Sequence, residues 1–287
     1  MGTSSAFGGA SGTTPLVPSW LAADDDEAEV SRPSADGTPD DQEPAAPVRP
    51  PFPPPGEHAR FTAARNNFSR FAKSGGTDGA SLGRAVSQYV GTSSGGVAGA
   101  AAHMGSSRRA GSRLLGFLGD AVRNGATEAL RTLNLQALAG RPIEEIFLGL
   151  ADYICPQGGT IDEGVAREAF IETIAELAQA GVTNLDGLTG DQMQTVFELF
   201  ATNAIEARLC NDIGMNAVTL PANPSEAAQV QAQLHDFILR GVADALIVAR
   251  VTVQAMTSDR ALALVDRVYQ EAFGILQNMG DAAAEAA

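Results

Sequence analysis

Cationic residues and long apolar runs are scarce in this chain of 287 residues. Lysine and arginine number 19 against 34 acidic residues, giving a formal net charge of -15. Because phosphate binding needs clustered cations, this balance argues against a general nucleic-acid binder. The most apolar stretch, 242–253, is short and interrupted by Asp244 and Arg250, so no membrane span is expected. Met1 precedes small polar residues rather than a secretory signal, and we expect a cytoplasmic protein.

Cysteine and histidine are equally scarce. Cys155 and Cys210 lie far apart with no second pair, which predicts buried free thiols rather than a disulfide framework. The three histidines show no metal-ligand spacing with one another or with the cysteines, so neither a metal site nor a cofactor is expected. No phosphate-binding or dinucleotide fingerprint is found. Cys155 before Pro156 could be a nucleophile, but no motif places an activating histidine beside it, so a buried structural thiol is expected. The chain is therefore expected to be non-catalytic, and an unrecognised hydrolase is the enzymatic alternative.

The first 56 residues are predicted to be a disordered tail. They combine small residues, an acidic run over 24–29 and a proline-rich stretch that favours extended chain over a packed element. One apolar motif, TTPLVPSWL, stands out in this tail. Two interpretations are equally open: a docking motif that binds a groove on a partner protein, or an inert apolar cluster. The large side chains of the motif are Leu16, Val17, Trp20 and Leu21.

Residues 57–113 are predicted to form a basic, partly helical linker broken by glycines. Between Arg60 and Arg113 eight basic residues stand against one acidic residue, whereas 114–287 holds nine basic and 23 acidic residues. This segment is expected to contact the chain's own acidic domain or an acidic partner, or alternatively nucleic acid, with Phe68 and Phe71 stacking on bases. The candidate contact residues are Arg65, Arg70, Lys73, Arg108, Arg109 and Arg113.

Residues 114–287 are predicted to form an irregular helical bundle, so the fold class is all-α. Apolar residues recur at three- and four-residue spacing, and helix-start patterns precede them. Thr160 with Glu163 and Thr189 with Gln192 fit capping boxes, in which each side chain satisfies a free backbone N–H. Only 215–220 reads as a short strand.

Gly2 is a candidate for modification of the protein itself. Removal of Met1 leaves a glycine amine with no side chain to hinder a partner's active site, and its pKa near 8 leaves it neutral more often than lysine. Myristoylation needs Ser or Thr at the sixth position, where this chain has Ala6.

Several segments resemble the QatB family of the Qat anti-phage defence systems. They are the opening MGTSSAFGGASGTTPLVPSWL, the middle stretches RFTAARNNFSRFAKSGG and GSSRRAGSRLLGFL, and the run RPIEEIFLGLADYICPQGGTIDEGVAREAFIETIAEL. The likeness extends over nearly the whole chain except the spacer 24–56.

This resemblance implies an operon that also encodes an ATPase, a QueC-like enzyme and a TatD-like DNase. QueC-like enzymes use ATP to activate a 7-deazaguanine carboxylate. The resemblance therefore implies that such a partner conjugates a deazaguanine to Gly2, which makes the chain a substrate rather than a catalyst.

Overall fold

The computed structural model describes residues 60–156, 158–214, 218, 220–249, 256 and 258–286. Within these ranges every regular element is a helix, which confirms the predicted all-α class. The predicted tail lies outside them, and of the strand considered at 215–220 only Val218 and Leu220 are described, neither in a strand. The α-helices are α1 (Thr62–Lys73), α2 (Gly79–Gln88), α3 (Gly96–Ala102), α4 (Gly105–Asn124), α5 (Ala126–Thr132), α6 (Ile143–Ile154), α7 (Ile161–Gln179), α8 (Gly190–Ile213), α9 (Pro224–Ala249) and α10 (Ser258–Glu285).

The described residues divide into two compact units. Unit 1 comprises residues 104–207, 256 and 258–265, and unit 2 comprises 60–103, 208–249 and 266–286, apart from the gaps stated above. Each unit joins segments from distant parts of the sequence. None of the described helices is long and apolar enough to cross a lipid bilayer.

The predicted capping boxes begin two of the helices. At the start of α7, Thr160 Oγ1 accepts from the Glu163 amide at 3.3 Å and the Glu163 carboxylate accepts from the Thr160 amide at 3.1 Å. Before α8, Thr189 and Gln192 make the same reciprocal pair at 3.2 and 2.9 Å. These hydrogen bonds satisfy amides that have no partner inside the helix, so the helices start where the sequence indicates.

The structure places residues 60–113 among the packed helices rather than in a linker. The segment forms α1, α2, α3 and the first half of α4, and residue 114, the predicted start of the helical domain, lies inside α4. Phe68 and Phe71 are completely buried. The glycines in this segment do separate helices, since Gly75 and Gly76 follow α1 with positive φ values of 67° and 84°. These glycines end helices, but the segment stays packed, because the helices between the glycines bury their apolar faces.

In unit 2, glycines let α2 and α10 approach closely. A Cβ added to Gly83 would lie 2.8 Å from the Gly280 carbonyl oxygen, and one added to Gly280 would lie 2.5 Å from the Gly83 carbonyl oxygen. Ser87 on α2 also donates a hydrogen bond to Asp281 on α10. The two backbones therefore pack against each other where any larger side chain would separate them.

Aromatic side chains form the centre of unit 1. The rings of Phe147 on α6 and Phe170 on α7 stack at 5.9 Å, and Phe170 meets Phe200 on α8 edge to face at 6.3 Å. Gly111 on α4 faces Phe197 and Phe200, where an added Cβ would come within 3.4 and 3.2 Å of the rings. Helices α4, α6, α7 and α8 thus share one apolar core.

Candidate functional site

The predicted modification and docking residues at the N-terminus lie outside the described residues. They are Gly2, Leu16, Val17, Trp20 and Leu21. Their roles remain predictions, and the sites that the structure itself presents are in the helical units.

The six predicted basic contact residues belong to different units. Three lie on α1 in unit 2 and three on α4 in unit 1. Arg70, Lys73 and Arg109 are exposed. The other three are half-buried: Arg65, Arg108 and Arg113.

Two half-buried arginines of this set are engaged with the backbone of their own unit. The Arg65 Nε donates to the Ile213 carbonyl at 2.7 Å, and the Arg113 Nη1 donates to the Ile154 carbonyl at 3.2 Å. The proposed stacking role of Phe68 and Phe71 is wrong, because both rings are fully buried in unit 2. In the sequence both rings lie among arginines of a segment predicted to be only partly helical, which favours an exposed position, whereas in the structure they lie in the packed helix α1.

A buried polar cluster in unit 2 surrounds Asp212. The Tyr89 hydroxyl donates to Asp212 Oδ2 at 2.9 Å, and Arg208 Nε donates to the same oxygen at 3.1 Å. His103 Nδ1 lies 3.8 Å from it. Tyr89 begins a π-helical turn, Tyr89–Ser93, that follows α2 directly. Such turns are rare and often occur at functional sites.

The electrostatics of the cluster keep its acid ionised and its phenol protonated. Burial alone would raise the pKa of Asp212, but the His103 imidazole, the charge of Arg208 and the hydrogen bond from Tyr89 together hold that pKa below its usual value. Burial and the Asp212 charge raise the pKa of Tyr89 well above its usual value. Tyr89 therefore remains a hydrogen-bond donor at neutral pH, and its bond to Asp212 ties the π-helical turn to α8.

The sequence contained only part of the information needed to find this cluster. Arg208 and Asp212 are four residues apart on α8, a spacing that predicts an ion pair on one helix face. Nothing local indicates that the pair is buried, since Tyr89 and His103 come from a stretch rich in glycine, serine and alanine more than a hundred residues away. Arg208 is 1% exposed, which is rare for an arginine unless it is paired.

The predicted free thiols are present, but only one is fully buried. Cys155 is buried and Cys210 is half-buried. Burial raises the pKa of the Cys155 thiol to about 12, although Arg167 and Arg113 oppose the shift. The side chain donates to the Ala166 carbonyl at 3.4 Å. A thiol in this state is a poor nucleophile, and the described part of the chain contains no group of three or more potential metal ligands.

A comparison with protein-family models matches residues 95–276 to the Qat anti-phage system associated protein QatB. The chain belongs to the QatB family. It is therefore a component of an anti-phage defence system that has several members, and it has partners within that system. Comparisons with curated proteins and with solved structures gave no match.

The QatB match covers most of the helical units. It includes α3 to α9 in full and three members of the buried cluster, His103, Arg208 and Asp212. Tyr89, α1 and α2 lie before it, as does the whole N-terminal tail. The family assignment thus rests on the packed helices.

Proposed function

We propose that this chain is a non-catalytic member of the Qat system that binds a QueC-like enzyme and accepts a 7-deazaguanine on Gly2. The observation that supports a defence role is the QatB family match over residues 95–276. The likeness of the tail to the family, set out above, supports the choice of partner. The ATPase and the TatD-like DNase of the same system are further partners in this proposal.

The proposed step on Gly2 is the formation of an amide. The QueC-like enzyme activates the deazaguanine carboxylate with ATP, and the neutral glycine amine attacks the activated acyl carbon. The new N–C bond forms as the bond to the activating group breaks, and the amine loses a proton. Gly2 offers the least hindered amine on the chain, and at neutral pH it is deprotonated more often than a lysine.

The apolar motif of the tail is the proposed anchor for this reaction. A flexible segment of about 20 residues spans on the order of 25 Å, so Trp20 can bind a partner while Gly2 enters an active site. Burying an indole contributes roughly 2 to 3 kcal/mol, which changes an affinity thirtyfold or more. Anchoring also raises the local amine concentration toward the millimolar range.

A surface of unit 1 supports binding to protein. The Arg167–Asp152 ion pair and the Phe147–Phe170 stack show that α6 and α7 run antiparallel. Each of these two helices carries an exposed large apolar side chain: Leu148 on α6 is 57% exposed and Ile171 on α7 is 39% exposed. Exposed apolar side chains favour a protein partner over a polyanion.

Nucleic-acid binding by residues 60–113 is the alternative, and two observations weigh against it. Phe68 and Phe71 are buried, and Arg65 and Arg113 donate to backbone carbonyls of the chain itself. Exposed cations remain at Arg70, Lys73 and Arg109. Binding of the full chain to single-stranded DNA that weakens with added salt would support the alternative, and no binding at low salt would remove it.

Mass spectrometry of the N-terminal peptide tests the modification. After co-expression with the full operon, we expect a mass increase on Gly2 that is absent when the QueC-like gene is deleted. Gly2→Glu should abolish defence while far-UV circular dichroism shows unchanged helix content. An unmodified terminus, or full protection by the Gly2→Glu chain, contradicts the proposal.

Co-purification tests the anchor separately. Trp20→Ala should reduce the yield of at least one partner, whereas Leu148→Ala tests the exposed surface of unit 1 by the same readout. If the Trp20→Ala chain retains every partner at full yield, the tail motif is not the anchor.

The non-catalytic assignment has its own test. The purified chain is incubated with ATP, nucleic acid and ester substrates, and turnover of any of them would overturn the assignment.

A further inference from the structure

Unit 1 contains a small cavity between α4, the end of α6 and the start of α7. Its volume is about 60 Å³. Since one water needs roughly 10 to 15 Å³ by this measure, the cavity has room for a group of several heavy atoms. Its polar lining comes from Ser106, Arg109 and Arg113 on α4, with Cys155 and Glu163 opposite. The cavity lies outside the buried Asp212 cluster and outside the predicted N-terminal sites.

Both arginines of this cavity lack an acidic partner among the described residues. Arg109 Nη2 is 3.0 Å from the Ser106 hydroxyl oxygen, and Arg113 Nη1 donates to the Ile154 carbonyl at 3.2 Å. Neither guanidinium forms a salt bridge with any carboxylate that the structure describes. Each keeps further N–H donors beyond its one neutral contact, because a guanidinium carries five.

Four other arginines of unit 1 do have acidic partners. They are Arg123 with Asp120, Arg131 with Glu128, Arg141 with Glu145 and Arg167 with Asp152. In a chain with 34 acidic and 19 basic residues, carboxylates are abundant. Arg109 and Arg113, four residues apart on the same face of α4, instead meet only neutral atoms, and together they place two positive charges beside a cavity.

The remaining lining groups offer limited opposition to an anion. Burial raises the pKa of Cys155 to about 12, so its thiol is neutral at physiological pH. Glu163 carries the one negative charge in the lining, and its carboxylate is held toward the end of α7, where it accepts from the Thr160 amide at 3.1 Å. Two positive charges thus face one negative charge that is already hydrogen-bonded.

We propose that this cavity binds an oxyanion group, a carboxylate or a phosphate, between the guanidiniums of Arg109 and Arg113. The planar guanidinium presents paired donors that match the oxygens of these groups. Arg113 is half-buried and Arg109 is exposed, so Arg113 forms the inner part of the site and Arg109 lies at its entrance. An acidic side chain of a partner protein and a free phosphate share this chemistry. The inference is independent of the Gly2 modification.

Calorimetric titration of the full chain with sodium phosphate and with sodium acetate tests the site. Sodium chloride at matched ionic strength controls for general salt effects. We expect saturable binding of at least one oxyanion, with Arg109→Gln and Arg113→Gln each weakening it about tenfold, since each removes a charge-assisted contact. Binding of acetate without phosphate indicates a partner carboxylate as the ligand, and the reverse result indicates a phosphate source.

Two further variants give this test its controls. Glu163→Gln removes the opposing charge while glutamine still fits the capping box, so it should tighten oxyanion binding severalfold. Arg70→Gln changes the net charge of the chain equally but lies on α1 in unit 2, and it should leave the affinity unchanged. No saturable binding of either oxyanion overturns the proposal. Binding that is unaffected by the cavity variants, or weakened equally by Arg70→Gln, marks an adventitious ion only and also overturns it.

Discussion

The close contact between α2 and α10 predicts opposite effects for two glycine substitutions in the same helix. Gly280 packs on α2, where an alanine Cβ would lie 2.5 Å from the Gly83 carbonyl oxygen and 3.0 Å from the Ser87 Cβ. Gly274 lies six residues earlier in α10, and an added Cβ there meets nothing within 4 Å. Alanine should therefore destabilise the protein at position 280 and stabilise it at position 274.

The expected magnitudes follow from two terms. Replacing glycine by alanine inside a helix contributes roughly 0.5 to 1 kcal/mol of stability at either position. At Gly280 the two backbones must also separate, and forcing extra volume into a packed site costs about 1 to 3 kcal/mol. The contacting atom is a backbone oxygen, which cannot rotate away as a flexible side chain can. The difference in unfolding free energy between the two variants isolates this packing cost, because helix propensity cancels.

Thermal and urea unfolding followed by far-UV circular dichroism measures both variants. For a protein of this size about 1 kcal/mol corresponds to a change of roughly 2 to 4 °C in Tm. Gly274→Ala should raise the Tm and Gly280→Ala should lower it, and Gly83→Ala should behave like Gly280→Ala. Equal stabilisation by the alanines at 274 and 280 would show that the helices do not approach as closely as described.

Two further predictions concern buried groups with perturbed pKa values. Asp212→Ala should lower the unfolding free energy by about 3 to 5 kcal/mol because Arg208 stays buried without this carboxylate. Asp120→Ala, which breaks a partly exposed pair with Arg123, should cost under about 1 kcal/mol. In the wild type, the ionised Asp212 should stabilise the fold above its ordinary pKa of 3.8, and this stabilisation should be lost as the pH falls through its lowered pKa in the folded state. Urea unfolding measures both variants, and equal losses of unfolding free energy for Asp212→Ala and Asp120→Ala would refute the prediction. Cys155 has a pKa of about 12, so roughly one in ten thousand of its thiols is ionised at pH 8. Iodoacetamide reacts with the thiolate and should therefore modify Cys155 only after unfolding. Rapid labelling of the native chain, detected by peptide mass spectrometry, would contradict its burial.

Helix class and helix starts could be predicted because their causes are local. The capping box of Thr160 and Glu163 needs only residues three apart, and both hydrogen bonds form as predicted. The apolar stripe that predicted α7 includes Phe170 and Ile174, and both side chains are buried. Where the stability of a helix depends on contacts among its own residues, the sequence pattern is enough to predict the helix and its start.

The packing of residues 60–113 could not be predicted in this way, because its causes are distant in sequence. Gly83 meets Gly280 nearly two hundred residues later, and Tyr89 meets Asp212. From sequence alone a glycine that ends a helix and a glycine that admits a neighbouring backbone look the same. The sequence likewise identifies Arg109 and Arg113 only as two cations, since the cavity beside them is formed by residues of α6 and α7 that lie at least 40 positions later.

The distribution of charge bears on which partners the chain can bind. Residues 114–287 hold 23 acidic and nine basic residues, and several of those bases, such as Arg131 and Arg167, pair with acids of their own unit. Internal pairing leaves an excess of acidic side chains that repels polyanions and attracts basic surfaces, with the strongest effect on association rates. Exposed cations such as Arg109 are the exceptions. A partner of this QatB-family chain should therefore be mainly basic where it meets 114–287, and an acidic group would find its place at the Arg109 and Arg113 cavity.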